Sequence, residues 1–435
     1  MPLHEQEELL FIGDVHLGRR PVGLDTQLEQ LGLKAGDLSP VAALERTVEA
    51  AVASPPRAVV FAGDLVDQDE DGFEALWVLE RAANKLKAAG IPVVAIAGNH
   101  DGRVLPRLIE RVPGVKLLGA NATWERIGIP GPGRPVDLFG WSFPGNHFAD
   151  NPLDHGDFAA ALGSARTGAA RLGVLHADLD AGSSNYAPVS TARLDDAGLD
   201  AWFLGHVHKP SPLDDAQPIG YLGSLVGLDA GESGPRGAWR VRATDTGVEA
   251  RQLALGPVRF ENIEVCLDAA ACNDVLTDDF AVRACIEAAL AEHVASAQLA
   301  HHHRALVARV RLTGALEDRA AVQQFSRSMA QHPIVFDAAL PTILQRVTDE
   351  TREPVDLQQL AAEPTPIGHI ARELLAFQAT GAVAPEVRAA FASTLDGGWP
   401  LDEDTDPAPA LDALFERAAW QALATLLSQE REPRA

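Results

Sequence analysis

Five short apolar runs, each ending at a cluster of Asp, Asn or His, are the feature of this sequence that most restricts its fold. They read LLFIG, AVVFAG, VVAIAG, LGVL and WFLG, and all lie between residue 8 and about residue 258. Runs of this kind are typical of buried strands, and amphipathic segments near residues 40 to 53 and 72 to 89 predict helices between them. The alternation predicts an α/β fold in which a layered sheet sandwich is flanked by helices.

Polar side chains follow these runs directly. The order along the chain is Asp14 and His16, then Asp64, then Asn99, His100 and Asp101, then His176, and finally His206 and His208. Ligands of open α/β sheets bind outside the carboxyl ends of the strands. We therefore expect these residues to converge on one site.

Carboxylate, amide and neutral imidazole donors together suit manganese, iron or zinc better than calcium. Two divalent ions fit this inventory better than one, with Asp64 as the bridging carboxylate. The remaining predicted ligands are Asp14, His16 and His208 for one ion, and Asn99, His176 and His206 for the other. Ions roughly 3.5 to 4 Å apart would hold one phosphate and generate a bridging hydroxide as the nucleophile.

His100 is not among the seven predicted metal ligands and is the predicted catalytic residue. It would protonate the leaving oxygen or hold a phosphate oxygen, with Asp101 orienting its ring. Arg19 and Arg20 are candidate substrate contacts, with ordinary surface positions as the alternative. A further basic strip after the third motif would contain Arg103, Arg107 and Arg111.

The motifs GDVHLG, GD, GNHD, VLHAD and GHVH, in this order, resemble the signature of calcineurin-like metallophosphoesterases. Within that superfamily, DVHLG and GNHD are similar to the SbcD-type DNA repair nucleases, and residues 185–188 and 231–237 are similar to the YhaO-type branch. The resemblance covers about residues 9 to 265. It implies Mn²⁺ as the usual metal, with Fe, Zn or Mg left open, and exonuclease or endonuclease action on DNA ends. It also implies an SMC-like coiled-coil ATPase as partner and a homodimer.

Three regions are predicted along the chain. Residues 1–258 form the metallophosphoesterase domain, residues 259–350 a small α+β domain that resembles a capping domain, and residues 351–435 a helical C-terminal region that resembles an ATPase-docking segment. After the fifth motif, GYLGSL, GAWRVRAT, GVEARQLAL and FENIEVCL predict successive strands of a second sheet region.

The formal net charge of -25 counts against contact with nucleic acid, because phosphate binding normally uses Lys and Arg. A phosphoesterase acting on small phosphodiesters or nucleotides is therefore an alternative, and a non-catalytic scaffold that keeps the fold is another. The sequence shows neither a signal peptide nor a membrane span, so a cytoplasmic, nucleoid-associated location without membrane contact is expected.

Overall fold

The computed structural model of the chain describes residues 7–22, 24–215, 217–268, 278–329, 334–336, 338–395 and 407–431. The chain divides into two compact units. The first comprises Met1–Glu264, Arg283–Arg311 and Ser326–Thr348, and the second comprises Val265–Val282, Leu312–Phe325 and Asp349–Ala435. The boundaries predicted at residues 258 and 350 stay predictions.

The strands of the described residues belong to three sheets. In chain order they are β1 Leu9–Ile12, β2 Val59–Ala62, β3 Val93–Ile96, β4 Val115–Leu117, β5 Glu125–Ile129, β6 Val136–Gly140, β7 Ala170–His176, β8 Ala201–Gly205, β9 Ile219–Tyr221, β10 Ala238–Ala243, β11 Val248–Leu253, β12 Val258–Cys266, β13 Ala305–Thr313, β14 Ile334–Phe336 and β15 Thr342–Asp349. The sheet orders are β11-β10-β1-β2-β3-β4, β5-β6-β7-β8-β9 and β12-β13-β15-β14.

Helices connect and cover these strands. They are α1 Asp25–Gln30, α2 Pro40–Ala53, α3 Gly72–Ala88, α4 Leu105–Ile109, α5 Gly156–Gly163, α6 Thr191–Asp195, α7 Asp279–Ser296, α8 Ala320–Met329, α9 Leu357–Ala361, α10 Pro366–Thr380, α11 Pro385–Leu395 and α12 Pro407–Arg431. Helices α2 and α3 confirm the helices predicted near residues 40 to 53 and 72 to 89. Within the described part of the chain, no helix combines the length and the apolar character that crossing a bilayer requires.

The first two sheets pack face to face, which confirms the predicted sandwich. In β1, Leu9 and Phe11 belong to the core between the sheets, and the Phe11 ring lies 4.4 Å from that of Phe203 in β8. The alternate residues Leu10 and Ile12 belong to the core on the opposite face, which α2 and α3 cover. Because both faces of β1 are buried, its sequence is uniformly apolar rather than alternating.

The prediction of a single second sheet region after the fifth motif was wrong. Strand β9 extends the second sheet, whereas β10 pairs antiparallel with β1 and β11 pairs with β10 at the edge of the first sheet. Strand β12 lies in the third sheet. The apolar pattern of a strand indicates that it pairs, but the partner depends on which sheet edge is open in three dimensions.

The C-terminal helices pack on one another. Helix α10 begins where Thr365 accepts a hydrogen bond from Gly368 N, with Pro366 at the first helical position. The apolar stripes of α9, α10 and α12 share a core, whose buried members are Leu357, Ile367, Ala371, Leu374, Ala419 and Leu423. The acidic, Pro-containing sequence of residues 397–410 is typical of a linker. Its residues 397–406 lie outside the described residues, and residues 407–410 belong to α12.

Candidate metal centre

The five polar motifs meet at the carboxyl ends of β1, β2, β3, β7 and β8. All seven predicted ligands lie within 4.0 Å of at least one other member of the set, namely Asp14, His16, Asp64, Asn99, His176, His206 and His208. Most of these side chains are buried, and His206 and His208 are partly exposed. The predicted convergence is observed, and the role of these residues as metal ligands stays a prediction.

Three of the seven residues have backbone conformations that non-glycine residues rarely adopt. The φ angles are 52° at His16, 47° at Asp64 and 105° at His206. Such conformations cost about 1–3 kcal/mol each and persist only where surrounding contacts impose them. Here the N–H groups of Val15 and His16 both donate to the carbonyl oxygen of Asp64, at 3.0 and 2.9 Å. The turns after β1 and β2 are therefore tied together at the site.

Glycines allow the motifs to approach closely. A Cβ atom on Gly98 would lie 2.1 Å from Asp64 Oδ1, and one on Gly205 would lie 2.2 Å from the carbonyl oxygen of Ala62. Any side chain at either position would separate the strand ends. Glycine is therefore required for steric reasons before Asn99 in the third motif and before His206 in the fifth.

One set of donors is centred on two histidines whose Nε2 atoms lie 2.9 Å apart, His16 and His208. The Nδ1 atom of His16 lies 2.9 Å from Asp67 Oδ1, and that of His208 contacts Glu232 Oε1. Each Nδ1 carries the hydrogen that it donates to a carboxylate, so in the neutral rings both Nε2 atoms present lone pairs to each other. With the carboxylate of Asp14 beside them, this arrangement suits a cation.

The second set is centred on Asn99. Its Oδ1 lies 2.9 Å from His176 Nε2 and 3.0 Å from His206 Nδ1. The opposite nitrogens are directed at acceptors, because His176 Nδ1 lies 3.0 Å from the carbonyl oxygen of Ala62 and His206 Nε2 lies 3.0 Å from Asp178 Oδ1. In the neutral rings, two nitrogen lone pairs and an amide oxygen therefore face one another, which also suits a cation.

Two carboxylates join the sets. Asp64 Oδ2 lies 3.3 Å from His176 Nε2 and 3.8 Å from His16 Nε2, as expected of a bridging group. Asp14 forms one potential ligand group with His16 and His208 and another with Asp64 and His176, so it adjoins both sets rather than one. The donors fit two divalent cations that share Asp64.

The electrostatics of the cluster favour bound positive charge. Burial lowers the pKa of His176, but the charge and hydrogen bond of Asp64, the charge of Asp14 and the carbonyl oxygen of Ala62 together outweigh burial and raise that pKa to about 9. Burial opposes ionisation of Asp64, yet the contacts with His176 and His16 lower its pKa. A site that stabilises a proton so strongly also stabilises a divalent cation in its place.

Three carboxylates behind the histidines were missed by the sequence analysis: Asp67 at His16, Asp178 at His206 and Glu232 at His208. Asp67 and Asp178 lie three and two residues after predicted ligands, which is a usable signal. Glu232 lies 24 residues beyond His208, and no local spacing indicates it. Carboxylates in this position fix the tautomer and orientation of ligating rings.

The predicted pairing of His100 with Asp101 was wrong. The Nδ1 atom of His100 lies 2.7 Å from the carbonyl oxygen of Asp67 and 3.9 Å from its carboxylate. The fully buried Asp101 instead accepts hydrogen bonds from the N–H groups of Leu65, Val66 and Gly98. Consecutive residues of a turn project in different directions, so His100 faces the partly exposed site while Asp101 faces the interior.

The surroundings of Asp101 contain some groups that disfavour its negative charge and others that stabilise it. Burial and the nearby charge of Asp64 raise the pKa of Asp101 to about 7, although three backbone N–H groups favour the carboxylate. Its contacts link the ends of β2 and β3. The structure therefore gives Asp101 a structural position.

The predicted substrate contacts lie at the edge of the site. Arg19 is partly exposed, with Nε 3.9 Å from Asp67 Oδ1, and Arg20 is exposed. The other arginines of the predicted basic strip, Arg103, Arg107 and Arg111, are also exposed. These positions are compatible with phosphate binding, which stays a prediction.

Residues 8–210 match the model of the calcineurin-like phosphoesterase family. The chain is 27% identical over 246 residues to the uncharacterized metallophosphoesterase YhaO of Bacillus subtilis, covering 55% of this chain and 58% of that protein. It is 30% identical over 234 residues to the DNA double-strand break repair protein Mre11 of Aeropyrum pernix, covering 52% of this chain and 55% of that protein. The matches thus span a little over half the length of these curated relatives.

Among solved structures, a dimetal phosphatase from Danio rerio is similar at 12% identity with a TM-score of 0.37, covering 56% of this chain and 96% of that one. The resemblance seen in the sequence motifs is confirmed by the family match and by the relatives. The family match begins just before β1 and ends just after His208, so it contains the seven predicted ligands. Residues 8–210 are a calcineurin-like metallophosphoesterase domain.

Proposed function

We propose that this protein is a metal-dependent phosphodiesterase that cleaves DNA as an exonuclease or endonuclease. The observation that carries the proposal is the pair of donor sets joined by Asp64, with the partly exposed His100 beside them. Two such sets suit the hydrolysis of a phosphodiester, in which one phosphate group is held from both sides.

Different residues of the site would bind the metals and supply the proton for the reaction. Two divalent cations bound here, Mn²⁺ by preference, would polarise the phosphate and lower the pKa of the attacking water. His100 donates its Nδ1 hydrogen to the carbonyl oxygen of Asp67. In the protonated ring, Nε2 carries a second hydrogen, which is given to the leaving oxygen and leaves a neutral imidazole. The carboxylate of Asp67 also holds His16, so one residue positions a ligand through its side chain and the proton donor through its backbone.

DNA is the proposed substrate because of the relatives and the arginines. The Aeropyrum relative carries the name of a DNA double-strand break repair protein. Arg19 adjoins the site, and Arg103 follows the third motif on an exposed surface. Cationic side chains near a metal site can contact the phosphates that flank the scissile bond.

The partners belong to the proposal too. We propose that residues 351–435 dock on an SMC-like coiled-coil ATPase and that the chain can form a homodimer. The expected result is that the tagged full-length chain co-purifies with a co-expressed ATPase of this type, and that ATP then stimulates DNA cleavage. Separate elution of the two proteins, with cleavage indifferent to ATP, would contradict the ATPase proposal.

A second candidate function is the hydrolysis of small phosphodiesters or nucleotides, which the net charge of -25 favours. An acidic body repels a long polyanion more than a small one, and the repulsion is greatest at low salt. The two candidates differ in the size of the substrate that they accept.

The deciding experiment compares substrates in Mn²⁺. Linear single- and double-stranded DNA, cyclic nucleotides and bis(p-nitrophenyl) phosphate are incubated with wild type and with Asp64→Asn, which lacks the shared carboxylate. Cleavage of DNA by wild type alone supports a nuclease. If wild type turns over the small substrates but not DNA, the second candidate is supported. Metal binding without turnover of any substrate would favour a non-catalytic scaffold.

A further inference from the structure

A short loop at residues 145–148 is fixed beside the metal centre by two sets of contacts. Phe148 N donates to the carbonyl oxygen of Asn185, and Ala187 N donates to that of Phe148, both at 2.7 Å. On its other side the loop lies against the turn of the third motif, since a Cβ on Gly102 would lie 2.5 Å from the carbonyl oxygen of Gly145. The loop is therefore held between two segments that border the site.

The anchor of this loop is Phe148. Its ring lies 4.7 Å from that of Trp141 and 5.4 Å from that of His155. The preceding residue, His147, is exposed and takes no part in this packing. The side chain of His147 is thus presented on a fixed backbone and is not needed to hold it.

The rings of His147, Tyr186 and His206 lie next to one another, with His147 outermost and His206 in the second donor set. The ring of His147 lies 5.7 Å from that of Tyr186, which lies 5.0 Å from that of His206. His206 Nδ1 in turn lies 3.0 Å from Asn99 Oδ1. A partly exposed tyrosine and an exposed histidine therefore border the site on the side of the second donor set.

A cationic group adjoins the same loop. The Nε atom of Arg103 lies 3.7 Å from the position that a Cβ on Gly145 would occupy. Aromatic faces beside a cation form the combination that binds single-stranded nucleic acid, because bases stack on the rings and phosphates contact the cation. A phosphoester without a planar group would gain nothing from these rings.

We propose that His147 and Tyr186 form a stacking surface for a nucleobase that adjoins the scissile phosphodiester. This inference rests on the proposed function and makes it more specific. The enzyme reads a nucleotide unit rather than a bare phosphoester, and His147 is a residue that determines specificity. Because stacking is tolerant of base identity, the surface favours nucleotides without selecting a sequence.

The test uses a dinucleotide with a single scissile bond, thymidylyl-thymidine, and two analogues that each lack one of its bases. Wild type, His147→Ala and His147→Phe are compared in Mn²⁺. His302→Ala serves as the matched control, because His302 is exposed and lies outside the site. KM and kcat are measured for each protein with each substrate. Thermal unfolding checks that the variants are folded.

We expect His147→Ala to raise KM for the intact dinucleotide about tenfold, with a much smaller change in kcat. For the analogue that lacks the stacked base, the same substitution should change KM less than about twofold, since ring and base contribute through one contact. His147→Phe should restore most of the affinity, and His302→Ala should match wild type.

Three outcomes overturn the inference. An unchanged KM in His147→Ala would show that the ring is not used. An equal rise in KM for the intact dinucleotide and both analogues would show that His147 acts on the phosphate or on the loop. If wild type hydrolyses none of the dinucleotides, the proposed function itself is contradicted and the stacking surface falls with it.

Discussion

The ring nitrogen that each metal-site histidine presents is selected by the group behind it. Asp67, Asp178 and Glu232 contact the far nitrogens of His16, His206 and His208. A backbone carbonyl has the same role at His176. These second contacts orient the rings before any cation binds, which lowers the cost of assembling the site.

The first prediction at this scale concerns Asp67. Substituting Asp67→Ala removes the carboxylate that accepts from His16 Nδ1 but keeps the backbone carbonyl oxygen that accepts from His100. The His16 ring alone is freed, so we expect turnover to fall about 10–100-fold. Hydrolysis of bis(p-nitrophenyl) phosphate in saturating Mn²⁺ measures the effect. Asp69→Ala, two residues away on the surface, is the matched control and should behave as wild type. Equal turnover in both variants would contradict the assigned role.

The second prediction separates His100 from Asp101. Asp101→Ala leaves three backbone N–H groups without their acceptor, so the free energy of unfolding should fall by at least about 2 kcal/mol. His100→Ala removes a ring that is 43% exposed and should change that free energy by less than about 0.5 kcal/mol. Turnover of His100→Ala should nevertheless drop about 10²–10⁴-fold. Urea unfolding and steady-state kinetics decide, and an Asp101→Ala protein as stable as wild type would refute the structural assignment.

At the scale of elements, the site depends on strand ends that belong to different sheets. Gly205 ends β8 in the second sheet and lies against the carbonyl oxygen of Ala62, which ends β2 in the first. The same carbonyl contacts His176 Nδ1 at 3.0 Å. The two sheets therefore lie close together where the ligands are needed.

The third prediction tests this approach with Gly205→Ala. The added methyl group would lie 2.2 Å from the carbonyl oxygen of Ala62 and 2.7 Å from His176 Nδ1. We expect a loss of about 1–3 kcal/mol in the free energy of unfolding and weaker Mn²⁺ binding. Gly163→Ala in α5, where a methyl group meets open space, should cost nothing. Calorimetric titration that finds unchanged affinity would rule out the steric argument.

The fourth prediction concerns pH and the connection before β13. His301 and His302 are exposed, whereas His303 is buried, and burial lowers its pKa to about 4. In the unfolded chain, His303 binds a proton as the pH drops below the ordinary histidine pKa of about 6.5. In the folded chain it does not bind that proton until about pH 4. Stability should therefore fall as the pH drops through this window.

His303→Gln can keep the hydrogen bond to the carbonyl oxygen of Gly256 but does not titrate. Its free energy of unfolding should fall less than that of wild type over the same range. Urea unfolding at several pH values measures both slopes. Parallel curves would show that His303 contributes nothing to the acid sensitivity.

For the whole molecule, the dominant fact is an acidic chain that brings several carboxylates and imidazoles together at one site. The net charge of -25 makes the folded state sensitive to bound cations. Cations that bind only the folded chain stabilise it by mass action. Stability should therefore depend on the divalent metal present.

The fifth prediction follows from this dependence. A chelator should lower Tm, and added Mn²⁺ should raise it again, by an amount equivalent to about 2.7 kcal/mol at a hundredfold excess over Kd. Ca²⁺ should have a smaller effect, because imidazole is a poor ligand for it. Asp64→Ala loses the shared carboxylate and should respond weakly. A Tm independent of Mn²⁺ in wild type would argue against a metal centre.

The five strands that carry the polar motifs, β1, β2, β3, β7 and β8, and the order of those motifs were predictable from the sequence alone. Both faces of these strands are buried, so their apolar runs are continuous, and the ligands follow at the strand ends. A strand and its adjoining motif are local features, and local spacing is enough to predict them.

Which groups meet depends on the three-dimensional packing of the chain. Asp67 rather than Asp101 contacts His100, Glu232 contacts His208, and β10 pairs with β1. The physical reason is that side-chain direction within a turn and distance between remote segments depend on how the sheets pack. Neither quantity is encoded in the spacing of residues along the chain.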